Sequence, residues 1–284
     1  MENLREEKIK FLEEVANQLR RDVIEMLAES GTGHPAGALG MAEIFSAFYF
    51  HILKHNPKKP DWPERDRLVL SNGHTCPILY AAMSRAGYFP IEELKTFRKI
   101  NSRLQGHPSR KALPGIETSS GPLGEGLSQA IGMALCARTS NLRSKYRTYC
   151  IMSDAEQNCG NIWEAAMFAG NKRLSNLTAI IDRNNIQSDG TTEEIMPLEP
   201  LKEKYESFNW EVLEIDGHNV ESFIDAVSEA QAIYEKPTII IARTIAGKGV
   251  DFMEADYKWH GTAPTKEQAK EALKELKKEK SSII

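Results

Sequence analysis

The composition of this 284-residue chain, with 41% hydrophobic and 27% charged residues, is that of a soluble globular protein. Its formal net charge of −4 argues against a nucleic-acid binder, which usually carries a basic surplus. No apolar run reaches the roughly 18 residues of a membrane span. The charged amino terminus (1–15) lacks the apolar segment of a signal peptide. We therefore expect a cytoplasmic protein.

The four cysteines form no CxxC and no metal-ligand pattern. Cys136 and Cys150 lie in apolar stretches and are predicted to be small buried hydrophobes. Disulfides are not expected in the inferred compartment.

Hydrophobic periodicity predicts helices and strands that alternate along the chain. In chain order we predict helix 5–30, a glycine-rich turn (31–40), helix 41–53, strand 68–71, a turn running into a helix (72–88), a long loop (104–126), helix 127–138, strand 147–152, a helix, strand 177–182, an amphipathic stretch (201–208), strand 210–215, helix 220–234, strand 238–242, a loop (244–264) and helix 265–280. This alternation predicts a doubly wound parallel sheet flanked by helices. Because no repeat or linker divides the sequence, we expect one domain over residues 1–284.

The strongest local signal is a strand–helix–strand segment in which Asp154 follows one strand and Asn184 follows the next. In a parallel sheet joined by a right-handed crossover, both residues emerge at the same carboxyl edge. A carboxylate and an amide oxygen fixed close together there suit Mg²⁺ or Ca²⁺ held beside a phosphate. The alternative is that Asp and Asn simply form turns after strands.

Four histidines lie beside small residues in loops, His34 in GHPAG, His74 in NGHT, His107 in GHPS and His260 in WHGTAP. A histidine in such a context can hydrogen-bond a diphosphate or a sugar hydroxyl, or move a proton. The alternatives are surface or turn-capping histidines, or a zinc site, although no pair has the spacing of a local zinc motif. The segment GPLGEG (121–126) opens a helix and offers backbone groups to a flat heterocycle or an anion.

Together these segments resemble, in consistent order over residues 15–264, the N-terminal, diphosphate-binding half of transketolase, a thiamine diphosphate enzyme. The matching landmarks are GHPAGALGMAEIF, LSNGH, GHP, ETSSGPLGEG, the Asp154–Asn184 segment, IDGHN, GKGV and KWHGTAP. The resemblance implies a thiamine diphosphate-binding fold of the diphosphate type. It also implies transfer of a two-carbon ketol unit from a ketose phosphate to an aldose phosphate, with the thiazolium ylid of the cofactor carrying the chemistry.

The resemblance further implies a metal site and a cofactor site. Asp154, Asn184 and the backbone carbonyl of Ile186 would bind the Mg²⁺ or Ca²⁺ that bridges the diphosphate oxygens. Gly121 and Leu123 would offer backbone groups to the aminopyrimidine ring of thiamine diphosphate.

The histidines acquire roles from the same resemblance. His74 and His260 would line the diphosphate and the reacting end of the cofactor. His34 and His107 would contact the hydroxyls of the donor sugar and the covalent intermediate. Lys248, in the GKG loop, is a further predicted cofactor-binding residue.

Three positions depart from the usual family pattern. Ala155, a predicted cofactor-binding residue, stands where glycine normally lets the backbone approach the diphosphate, so its Cβ is expected to restrict φ or crowd the phosphate. Cys159 replaces a common glutamate of a carboxylate network across the subunit interface, which an un-ionised thiol cannot join. Glu156 is a candidate substitute for that glutamate. Glu125 stands where glutamine is frequent.

The pyrimidine-binding domain of transketolases, which supplies the glutamate that activates the cofactor, is absent from this sequence. The tail KEKSSII looks like an ending rather than a linker. We therefore expect the N-terminal subunit of a split transketolase, active only with a separately encoded C-terminal subunit in an α2β2 heterotetramer. Two alternatives stay open: a related thiamine diphosphate-dependent lyase or synthase, and a catalytically weakened paralogue that binds cofactor or partner for regulation.

Overall fold

The computed structural model describes residues 2–139 and 146–278, so most of the tail KEKSSII and the end of the predicted helix 265–280 lie outside the described residues. The helices are α1 (Glu2–Ser30), α2 (Pro35–Gly40), α3 (Ala42–Ala47), α4 (Cys76–Arg85), α5 (Glu125–Thr139), α6 (Gly160–Asn171), α7 (Thr192–Ile195), α8 (Leu201–Ser207), α9 (Val220–Ala232) and α10 (Lys266–Lys278). The strands are β1 (Arg67–Leu70), β2 (Thr148–Ser153), β3 (Leu177–Arg183), β4 (Ile186–Gln187), β5 (Gly190–Thr191), β6 (Glu211–Asp216) and β7 (Thr238–Arg243).

Five parallel strands form the central sheet in the order β1-β2-β3-β7-β6. Strands β2 and β3 are buried along their whole length, as expected when helices cover both faces of a sheet. Consecutive side chains alternate between the faces, so Ile180 packs in the core with α1, α3, α4 and α9, while Ile181 packs in the core with α5, α6 and α8. The predicted doubly wound parallel sheet is confirmed.

The predicted glycine-rich turn 31–40 is wrong in its second half, because α2 already begins at Pro35. Proline at the first helical position has a φ that suits the helix, and all six residues of α2 are buried. A Cβ on Gly40 would come within 2.9 Å of the Ile245 carbonyl oxygen, so the small residues of α2 permit close approach to the loop after β7. The predicted helix 41–53 is also divided, into α3 and a π-helical turn (Phe48–Ile52).

The prediction for Cys136 is wrong, whereas the prediction for Cys150 is confirmed. Cys150 is buried in β2. Cys136 is exposed, because α5 turns Ala130, Ala134 and Ala137 toward the sheet and carries Cys136 on its outer side. Within the described ranges, no helix combines the length and apolar character needed to cross a membrane.

Candidate functional site

A cavity of about 300 Å³ lies at the carboxyl edge of β2 and β3. Its lining comes from the turns that follow β1, β2 and β3 and from three loops distant in sequence: His34, Gly37, His74, Thr75, His107, Gly121, Leu123, Ser153, Ala155, Asp182, Asn184, Ile186, Gln187, Ser188 and His260. The structure thus brings together all the predicted site residues except Asp154 and Lys248. Their roles stay predictions.

Three of the histidine rings form a compact cluster. The ring centroids of His34 and His74 are 5.2 Å apart, those of His34 and His260 are 5.5 Å apart, and those of His74 and His260 are 5.2 Å apart. His107 approaches from the long loop and packs against Gly121, where a Cβ would lie 3.6 Å from the imidazole ring. Gly121 has a φ of +154°, a conformation that favours glycine.

Burial keeps these imidazoles neutral. It lowers the pKa of His34 to about 4 and that of His74 to about 3, and neighbouring histidines add to the effect, His260 most of all. Burial is also the main cause that lowers the pKa of His107 and of His260. A neutral imidazole offers one donor and one acceptor, which suits sugar hydroxyls and proton transfer. The cluster therefore supplies little positive charge for a diphosphate.

Asp154 and Asn184 follow adjacent strands, as the sequence predicts. Asp154 is fully buried; its Oδ1 accepts a hydrogen bond from the Ala155 amide (2.7 Å), and its Oδ2 accepts from the Asn185 amide (2.7 Å) and from Arg183 (3.3 Å). Burial raises the pKa of Asp154 to about 6, although these donors oppose the rise. The side-chain Nδ2 of Asn184 donates to Asp182 Oδ2 (2.8 Å), and its Oδ1 accepts from the backbone amide of Ile186.

The remaining lone pairs fit a hard divalent cation. Asp154 Oδ1 and Asn184 Oδ1 each accept one hydrogen bond from the protein, so each keeps a lone pair for Mg²⁺ or Ca²⁺. Within residues 2–139 and 146–278, no three His, Cys, Asp or Glu side chains are arranged to hold a metal. An ion here would therefore need amide, carbonyl and diphosphate oxygens beside the one carboxylate of Asp154.

Asp182 is a site residue that the sequence analysis missed. It is buried at the edge of the cavity, and burial raises its pKa to about 7 even though the Thr244 hydroxyl donates to it. By accepting from Asn184 Nδ2, it fixes which end of that amide is the oxygen. The signal was available, since Asp182 stands two residues before Asn184, near the carboxyl end of β3.

The structure shows the local surroundings of Ala155 and of Glu156, the candidate substitute for the interface glutamate. Ala155 begins a 3-10 turn (Ala155–Asn158) and is not among the residues with positive φ, so the expected restriction of φ does not occur. Glu156 is fully buried and accepts from the Ser71 hydroxyl and from the amides of Gly124 (2.6 Å) and Ser153 (3.1 Å). It joins three segments within this chain and has no exposed surface from which to replace an interface glutamate.

Neither Cys159 nor Lys248 is among the residues that line the cavity. Burial, followed by the charge of Glu156, raises the pKa of the half-buried Cys159 thiol, which stays protonated. Lys248 does not line the cavity, and its Nζ instead lies 3.3 Å from Glu254. The GKG loop is joined to α2 through its backbone, because the Gly247 amide donates to the Ala36 carbonyl oxygen (2.8 Å).

Comparisons with known proteins agree with this geometry. The family model for the transketolase thiamine diphosphate-binding domain matches residues 12–281. The chain is 44% identical over 268 residues to a subunit of the 6-deoxy-6-sulfo-D-fructose transketolase of Clostridium sp. (strain MSTE9), covering 94% of this chain and 97% of the relative. It is 39% identical over 268 residues to one of the subunits of the apulose-4-phosphate transketolase of Phocaeicola vulgatus, with 94% of each chain covered.

Solved structures give the same result. Transketolase from Leishmania mexicana matches with a TM-score of 0.88 and 33% identity over 94% of this chain, which spans 41% of that longer chain. The chain therefore belongs to the transketolase family of transferases and corresponds to its thiamine diphosphate-binding domain.

Proposed function

We propose that this chain is the N-terminal subunit of a two-chain transketolase, which transfers a two-carbon ketol unit from a ketose phosphate to an aldose phosphate. The observation that carries the proposal is the cavity in which the neutral histidine cluster meets Asn184 and Ile186, beside the buried carboxylate of Asp154. Two relatives of similar length are named as transketolase subunits, which supports a division of the enzyme between two chains.

The cofactor in this proposal is thiamine diphosphate with Mg²⁺ or Ca²⁺. Asp154, Asn184 and the Ile186 carbonyl would hold the ion, which reverses the local charge so that the diphosphate can bind beside a carboxylate. Gly121 and Leu123, both in the lining of the cavity, would face the aminopyrimidine ring. When bound, the cofactor supplies the nucleophilic carbon and the electron sink for the transferred unit.

The histidines would serve the substrate and the proton transfers. The Nδ1 atom of His34 is buried and has no hydrogen-bond partner in the protein, so it is free for a ligand. His34 and His107 would bind the hydroxyls of the donor sugar, while His74 and His260 would orient the reacting end of the cofactor. The neutral state that burial favours lets each imidazole accept a proton on one ring nitrogen while it donates a hydrogen bond from the other.

The missing parts of the site would come from a C-terminal subunit in an α2β2 assembly. That subunit would supply the pyrimidine-binding domain and further contacts to the substrate phosphate. Because sugar phosphates are made and consumed inside the cell, we also propose a cytoplasmic location.

Reconstitution tests this function. The chain would be purified alone and with a co-expressed C-terminal subunit, and ketol transfer would be measured with thiamine diphosphate, Mg²⁺ and a panel of phosphorylated, sulfonated and free sugars. We expect activity only in the mixture, its loss in Asp154→Ala, and its retention in the matched control Glu125→Gln, whose side chain is exposed. Steady transfer by the chain alone would contradict the split-enzyme proposal. Cofactor binding without transfer of any sugar would favour the weakened paralogue.

A further inference from the structure

A buried arginine lies directly behind the proposed metal site. We propose that Arg183 is a positioning residue for the metal ion: it holds Oδ2 of Asp154 and so presents Oδ1 to the cation. The inference rests on the proposed function, because it concerns the same metal site. It assigns that site a residue that does not touch the ion.

Arg183 is buried and donates hydrogen bonds to two separate segments of the chain. Its side chain is only 3% exposed although it ends β3. Nη1 donates to Asp154 Oδ2 (3.3 Å) and to Thr192 Oγ1 (2.8 Å), and Nη2 donates to Glu193 (2.9 Å) and Glu199 (3.1 Å). One guanidinium thus connects the carboxylate after β2 with the segment after β5.

Position at the end of a strand does not by itself bury an arginine. Arg243 is the register partner of Arg183 at the end of the adjacent strand β7. Its side chain is 61% exposed and forms an ion pair with the Glu214 carboxylate. The burial of Arg183 therefore reflects its acceptors, and Arg243 offers a matched control of the same residue type.

The hydrogen bonds on Asp154 leave one position for a cation. Oδ2 accepts from Arg183 and from the Asn185 amide, which occupy both of its lone pairs. Oδ1 accepts only from the Ala155 amide and keeps one lone pair. Without Arg183, Oδ2 would keep only the hydrogen bond from the Asn185 amide, so the carboxylate would be held less firmly and would bind the ion more weakly.

The same guanidinium also orders a second part of the site. Thr192, its other Nη1 acceptor, donates its backbone N–H to the Asn185 carbonyl oxygen (2.9 Å) and so closes the β4–β5 hairpin. That hairpin contains Ile186, whose carbonyl is the third proposed metal ligand, together with two further lining residues, Gln187 and Ser188.

The charge of Arg183 is compensated locally. Glu193 and Glu199 both accept from its Nη2. Together with Asp154, three carboxylates therefore surround the Arg183 guanidinium. These carboxylates reduce the repulsion between Arg183 and a metal ion. The effect of Arg183 on metal binding therefore depends on how it orients Asp154. Lysine cannot reproduce that geometry, because one ammonium group cannot span the acceptors that a guanidinium fork reaches on two nitrogens.

The test is the Mg²⁺ dependence of thiamine diphosphate binding, measured by isothermal titration calorimetry on the full chain with its partner subunit. We expect Arg183→Met to need about 10-fold or more Mg²⁺ for half-saturation. Arg183→Lys should fall between Arg183→Met and wild type, and Arg243→Met should match wild type. Circular dichroism melting without cofactor identifies variants that fail to fold. If Arg183→Met does not fold, Arg183→Lys and the similarly shaped Thr192→Val, which removes one acceptor, carry the test.

The outcomes separate this inference from the proposed function. Folded variants at Arg183 with the Mg²⁺ dependence of wild type would overturn the positioning role alone. Wild-type protein that binds no thiamine diphosphate at any Mg²⁺ concentration would overturn the proposed function, and the inference with it.

Discussion

Gly126, in the first turn of α5, allows that helix to sit against the end of β1. A Cβ at Gly126 would overlap the Ser71 side chain and come within 2.7 Å of Ser71 Cα. The Gly126 amide also donates to Ser71 Oγ (3.1 Å), in the same buried group that includes Glu156. Gly126→Ala must therefore move the start of α5, and with it the cavity-lining turn that contains Gly121 and Leu123.

The cost follows from these contacts. The new Cβ would lie 2.7 Å from Ser71 Cα, closer than the 3.4 Å of ordinary contact. Overpacking of this kind costs about 1–3 kcal/mol. Leaving the buried Gly126 amide without its acceptor adds about 1–3 kcal/mol. The smaller backbone entropy of alanine in the unfolded chain returns roughly 0.5–1 kcal/mol. Together these terms give a net loss of about 1–5.5 kcal/mol in the free energy of unfolding.

Gly132, six positions later in α5, provides the control. Nothing lies within 4 Å of a Cβ built there, and the residue is exposed. Gly132→Ala should stabilise the protein by about 0.5–1 kcal/mol, because alanine favours the helix. Urea unfolding of both variants measures the difference. A loss below about 1 kcal/mol for Gly126→Ala, or shifts of the same sign in both variants, would refute the reasoning.

Three further predictions concern charge. Arg98→Met should raise the pKa of His34 and of His107, because the Arg98 charge opposes their protonation; NMR titration of the imidazoles checks this, and unchanged titration curves would contradict it. His74 has a pKa lowered from 6.5 to about 3, mainly by burial, so the stability that its neutral form contributes is present above pH 6.5 and is lost as the pH falls toward 3. At pH 5 that loss is about 2 kcal/mol. Urea unfolding at pH 7 and at pH 5 measures it as a difference in the free energy of unfolding, and His74→Gln should remove that contribution. An unaltered difference would argue against the buried neutral imidazole. Lys248→Met should change the affinity for thiamine diphosphate by less than about 2-fold, because the lysine pairs at the surface outside the cavity. Fluorescence titration measures this affinity. A large loss of affinity would indicate instead that Lys248 contacts the cofactor.

Much of the site could be predicted because parallel sheets obey simple rules. Buried apolar strands with a helix between them bring their carboxyl ends to one edge, so Asp154 and Asn184 could be paired from sequence alone. The histidines next to glycine followed the same logic, since a loop without bulky neighbours lets an imidazole enter a cavity.

What could not be predicted depends on side-chain packing between distant segments. Arg183 reads in the sequence as a polar residue at the end of a strand, and only the fold gives it buried acceptors. Cys136 lies in an apolar run, yet the rotation of α5 exposes it. Lys248 belongs to a matching segment, but its side chain turns toward Glu254. Periodicity describes which face of an element is buried on average, not the partner of each side chain.

The central claim is that the edge of β2 and β3 binds a metal ion beside a diphosphate. A crystal structure of the chain with its partner subunit, thiamine diphosphate and Ca²⁺ tests it most directly, through the anomalous difference map. The account predicts a Ca²⁺ peak bound by Asp154 Oδ1, Asn184 Oδ1 and the Ile186 carbonyl, beside the diphosphate. A bound cofactor whose metal peak lies away from these three oxygens would contradict it.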